Sequence, residues 1–134
     1  MQAWKQEVES FLQGWEESVE GNKKTFEQLL KLLEEQGKGH LEFHPRPGVT
    51  YSLRGVCDEQ GRKPLYVMVD VIEDAPRWLS VCFYGELISD PQARGDAVPG
   101  GLLGEDAVCF DLDRFDAEAL AYVEARIVEA YSQA

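Results

Sequence analysis

Leu65-Tyr66-Val67-Met68-Val69-Asp70-Val71-Ile72 is the stretch on which the fold turns. It is rich in β-branched valine and apolar on both sides except at Asp70, which predicts a strand placed centrally in a sheet. Glu73-Asp74-Ala75-Pro76 then turns the chain. Residues 78–84 predict the next strand, with Leu79, Val81 and Phe83 opposite Trp78, Ser80, Cys82 and Tyr84. Upstream, Val49, Tyr51 and Leu53 alternate with Thr50, Ser52 and Arg54, the period of a half-buried strand. The polar run 58–63 reads as the hairpin connection between the two. Before it, His44-Pro45-Arg46-Pro47-Gly48 is expected to be irregular, because two prolines remove ladder donors.

Further out, the period changes to that of helices. Trp4, Val8, Phe11, Leu12, Trp15 and Val19 recur every three or four residues as one apolar stripe. Gly21-Asn22 interrupts, and Thr25-Phe26-Glu27-Gln28 resembles a capping box ahead of a second apolar run from Phe26 to Leu33. The spacing leaves open whether this is one bent helix or two. At the other end, residues 107–112 form a short fourth strand. Asp113 is expected as an N-cap with Asp116 at N3, and Phe115, Leu120, Val123, Ile127 and Tyr131 mark a final amphipathic helix. Between them, residues 85–106 lose all periodicity around Val98-Pro99-Gly100-Gly101-Leu102-Leu103-Gly104 and read as one long glycine-rich loop.

The expected fold is therefore α+β. N-terminal helices precede a four-stranded, mainly antiparallel sheet, with the long loop before its last strand and the C-terminal amphipathic helix on the sheet. At 134 residues and 44% hydrophobic composition, one core is expected, so residues 1–134 read as a single domain. Residues 1–40 are its helical segment, and 41–134 its sheet and last helix. The formal net charge of −12 weighs against nucleic-acid backbones and anionic membrane surfaces as partners. Three widely spaced cysteines without a leader-like start read as reduced thiols, hence a cytoplasmic location.

Most chemical motifs fail on spacing. His40 and His44 have the H-x-x-x-H interval of a helical zinc pair. However, Gly37, Gly39, Pro45 and Pro47 bracket them, and on an extended chain they stand roughly 13 Å apart. Asp111-Leu112-Asp113-Arg114-Phe115-Asp116 starts like a calcium loop but has Phe115 and Asp116 where an oxygen ligand and glycine belong. Gly95 and Gly100 have phosphate-loop spacing, yet Gly101-Leu102 replaces the lysine and hydroxyl residue. Cys57 adjoins Asp58 and Glu59, the wrong field for a thiolate, while Cys82 and Cys109 fall inside apolar strands. No metal and no cofactor is expected.

What remains is a set of polar groups around residues 85–106: Arg46, Arg54, Tyr84, Asp90, Arg94, Glu105 and Asp106 are the candidate ligand-binding residues, with the arginines suited to a carboxylate. Trp4, Phe11 and Trp15 are the candidate interface, offered to a second copy or another protein. The reading leans away from an enzyme and towards a small binding or protein-interaction domain. The alternative is a small-molecule binder or enzyme with a polar pocket under the 85–106 segment.

Overall fold

The computed structural model describes residues 3–37, 39–57 and 63–133. The order is α1 (Ala3–Gln13), α2 (Asn22–Glu34), β1 (His40–Arg46), β2 (Thr50–Val56), β3 (Val67–Ile72), β4 (Trp78–Tyr84), β5 (Asp96–Leu102), β6 (Glu105–Leu112) and α3 (Ala117–Gln133), with a 3-10 turn at Gly85–Leu87. The class is α+β as expected, but the sheet has six strands among the described residues, not four. Its order is β1-β2-β3-β4-β6-β5, every neighbouring pair antiparallel. The valine-rich stretch supplies β3, with strands on both sides of it.

Both additional strands lie at the sheet's edges, and both contain proline. In β1, Pro45 pairs in register with Tyr51. An edge strand carries backbone groups with no partner strand, so a missing donor costs nothing on that side. Pro47 and Gly48 then make the β1–β2 turn, closed by Val49 N–H donating to Arg46 O at 2.9 Å, with Gly48 at φ 82°. The segment 85–106 is likewise not one loop. It holds the 3-10 turn and β5, which pairs with β6 through a register shift between Val98 and Leu102 that absorbs Pro99, Gly100 and Gly101. Leu103 (φ 50°) and Gly104 (φ 86°) form the tight turn into β6. The expected hairpin connection at 58–63 lies, but for Lys63, outside the described residues.

The helical region resolves into two helices, and the apolar stripe ends with the first. Trp15 folds back into the core at 5% exposure, whereas Val19 is 99% exposed. The capping box does not form. Thr25 sits inside α2, its Oγ1 donating back to Gly21 O. The exposed amides at the start of α2 are met instead by the Glu17 carboxylate, which accepts from Lys23 N and Lys24 N at 3.2 and 3.0 Å. A carboxylate there also complements the helix dipole. For α3 the capping residue is Asp116, not Asp113; its Oδ1 accepts from Glu118 N and Ala119 N.

The core lies between the helices and one face of the sheet. Phe26, Leu29 and Leu33 of α2 and Leu120, Val123 and Ile127 of α3 are buried with Val69, Val71, Leu79, Val81 and Phe83. Each such side chain contributes about 1.5–3 kcal/mol by leaving water. Gly55 in β2 marks one close approach: a Cβ there would stand 2.4–2.6 Å from three ring carbons of Tyr66. That ring is buried and meets Tyr131 edge-on at 5.2 Å, so it has little room to retreat. Gly55→Ala is expected to cost about 1–3 kcal/mol in urea denaturation. An unchanged midpoint would contradict this packing.

Candidate functional site

Strand alternation sends half of the sheet's side chains away from the helices. Phe110 meets Tyr122 of α3 at 6.0 Å and Tyr51 stacks on Phe11 of α1 at 4.4 Å, which fixes the covered face. The residues between them point the other way, and the register aligns them in rows. One row runs Ser52, Asp70, Ser80, Asp111; the next runs Arg54, Met68, Cys82, Cys109, Asp96. Among the described residues no helix lies over this second face.

Its centre is polar and partly unsatisfied. Asp70 Oδ1 is buried without a hydrogen-bond partner among the described residues. Burial pushes its carboxyl up, outweighing the pull of Ser52 and Arg54 towards the charged form. Arg54 Nε itself donates to Ser52 Oγ at 3.2 Å. Asp111 is raised as well, first by burial and then by repulsion from Asp96 and Asp113. The β6–β5 side of the face is therefore acidic. On the β1 side, Glu42 is held below its usual range by hydrogen bonds with His44 (2.9 Å) and His40 (3.0 Å). The two histidines thus share a carboxylate. Among the described residues, no group of three or more His, Cys, Asp or Glu side chains is placed to hold a metal ion.

At the end of the face where β4 begins lies a cleft of about 610 Å³. Val19, Pro76, Trp78 and Phe115 line it with apolar surface, and Glu20, Asp74 and Asp113 add acids. Arg114, also in the lining, stands 3.7 Å from Asp113.

The seven candidate ligand residues do not converge as one set, although Tyr84 lies within electrostatic reach of both Glu105 and Arg54. Arg46 and Arg54 project from β1 and β2 on the uncovered face. Tyr84 is buried at the far end of β4 with its hydroxyl unpartnered among the described residues, and Lys63 Nζ lies 5.2 Å from its ring centre. Burial and Glu105 push the Tyr84 phenol up, against Lys63 and Arg54. Glu105, with Glu86, clamps Lys63 in an ion pair. Asp106 Oδ1 accepts from Gly100 N at 3.0 Å and braces the β5–β6 hairpin. Asp90 and Arg94 belong to a turn docked on α3. Asp90 accepts from the amides of Arg94 (3.0 Å) and Gly95 (2.9 Å) and from the Tyr122 hydroxyl. Burial works against its ionisation, but those bonds hold its carboxyl below the usual range. Arg94 reaches Glu118 at 2.8 Å.

Of the three candidate interface residues, Trp15 is buried, and Trp4 and Phe11 pack partly buried against the core. Sequence reasoning did not place Asp70, Trp78 or Asp111 among the candidate binding residues. The signal was the alternation itself: each falls on the strand face opposite the aliphatic residues.

No family model, curated protein or solved structure matches the chain. The functional reading therefore rests on geometry and electrostatics. No helix among the described residues is long and apolar enough to cross a membrane.

Proposed function

We propose that this chain is a non-enzymatic protein-binding module that receives a basic segment of a partner on its uncovered sheet face. The observation that carries the reading is Asp70 Oδ1, a buried carboxyl oxygen without a hydrogen-bond partner among the described residues, on a face over which no described helix lies. Such an atom is costly unless a donor arrives. Asp96, Asp111 and Asp113 add charge of the same sign beside it, and the net charge of −12 favours a cationic partner over a second copy of the chain. Trp78, with Val19 exposed beside it, is the apolar anchor where an aromatic ring accepts either an aliphatic side chain or a guanidinium. The alternative, a lid over a polar pocket, needs a free segment, and residues 96–102 are paired as β5.

The test is titration of the ¹⁵N-labelled chain with an arginine–leucine peptide, followed by NMR. Shifts are expected at the Trp78 indole and along β3, β4 and β6. Trp78→Ala and Asp111→Lys are each expected to weaken binding about tenfold or more, and added salt to weaken it further. Because Asp70 and Asp111 titrate above their ordinary range, affinity should rise with pH through that range and be lost as they protonate. Shifts confined to other surfaces would overturn the proposal. So would a stable dimer whose sheet faces protect one another.

A further inference from the structure

Cys82 and Cys109 stand directly opposite one another on β4 and β6, and both are free thiols. They lie on the uncovered face, 6% and 9% exposed, alternating with Val81, Phe83 and Phe110, which enter the core. Directly opposed residues of an antiparallel pair have Cβ atoms about 4.5–5.5 Å apart. A disulfide needs about 3.5–4.5 Å, so closure asks for a displacement on the order of 1 Å. The two thiols are close enough to shift each other's ionisation.

We propose that Cys82 and Cys109 are a peroxide-sensitive dithiol, a modification site that closes to a cross-strand disulfide and reopens with small thiols. The Cys82 thiol lowers Cys109, while Cys109 and burial raise Cys82. Cys109, the more exposed of the two thiols, is the attacking thiolate. It displaces hydroxide from the peroxide as the O–O bond breaks, leaving a sulfenic acid on Cys109 and, after proton uptake, one water. The Cys82 sulfur then attacks the Cys109 sulfur. The S–O bond breaks, and the departing hydroxyl takes the Cys82 proton as a second water. Two thiols lose two electrons and one peroxide gains them. Asp70, Asp96 and Asp111 act on Cys109 against ionisation, so the first step is slower than at an electropositive site. A disulfide made by drawing strands together is strained, and strain makes it reducible. Cys57 is one residue past the end of β2 and faces neither thiol across a strand pair. The inference does not depend on the docking surface proposed above.

The experiment treats the fully reduced chain with hydrogen peroxide, alkylates it in denaturant and maps peptides without reduction. Expected are an intact mass lower by two hydrogens, one Cys82–Cys109 linked peptide, alkylated Cys57, and full reversal by dithiothreitol. Cys57→Ser should behave identically. Cys82→Ala should leave a sulfenic acid on Cys109 that dimedone traps, with circular dichroism confirming its fold. Oxygen addition without a link, a link through Cys57, or both thiols still alkylated would each overturn the proposal.

Discussion

Asn22→Asp, the exchange of one amide for one carboxyl, is expected to remove about 3 kcal/mol or more of stability at pH 7. Asn22 opens α2 and is buried. Its Nδ2 donates to Arg77 O at 2.7 Å and to Asp113 O at 3.1 Å, tying the helix start to the chain leaving β3 and the chain leaving β6. Its Oδ1 is already buried without a partner among the described residues. A carboxylate would turn a second oxygen on two carbonyl oxygens. An acid at a helix N-terminus gains about 0.3–1 kcal/mol from the dipole, too little to reverse that sign. The new carboxyl would have a raised folded-state pKa. The loss should therefore be present above the unfolded value of about 3.9, grow up to the folded pKa, and vanish below both. Urea denaturation at neutral and acidic pH reads this directly. Equal midpoints for the variant and the parent chain at pH 7 would remove the structural role assigned to Asn22.

The second large effect is expected at Arg77. Its guanidinium lies 5.0 Å from the Phe11 ring centre, 5.1 Å from Tyr51 and 5.6 Å from Trp15. It also grips Glu73 through two bonds of 2.9 and 3.1 Å, and the Tyr51 hydroxyl donates to the same carboxylate at 2.9 Å. Arg77→Ala removes the flat surface on which three rings pack and strands Glu73 beside them, at about 2–4 kcal/mol. Arg77→Lys keeps the charge but not the fork, so an intermediate loss is expected. The bond from Arg77 holds the Glu73 carboxyl below its usual range, with burial opposing and Tyr51 assisting. A depressed carboxyl contributes stability above its unfolded value of about 4.3 and loses it as pH falls through the folded value. Arg77→Ala should therefore flatten the acid limb of the stability–pH curve as well as lower its plateau. A variant with the parent's acid limb would show that Glu73 does not depend on Arg77.

The difference between what could be read and what could not follows from how local each signal was. β3 and β4 were legible because valine and period-two alternation report burial without reference to anything distant. The helices were legible in their apolar spacing but not in their ends. The cap of α2 comes from Glu17, ahead of the helix in an irregular connection, and no local capping pattern points to it. The two edge strands were missed for one physical reason. Proline and glycine signal a break when a strand needs two neighbours, and β1 and β5 have one each. The candidate ligand set is divided for another reason. Its members were grouped by nearness to a supposed loop, but pairing of β5 with β6 sends Asp90 and Arg94 to the helical side and leaves Arg54 on the other. Alternation had already separated Trp78 and Cys82 from Leu79 and Val81. What sequence lacked was the knowledge that the described helices would all pack on one face.

Pro45 and Pro99, one in each outermost strand, reach beyond the folding of a single chain. A growing amyloid or a runaway fibre recruits each new chain through the open backbone of a terminal strand. Here each such strand is interrupted by an imino acid, and β5 is further bent where its register shifts. At high concentration the molecule is thus guarded against polymerising sideways along its sheet edges.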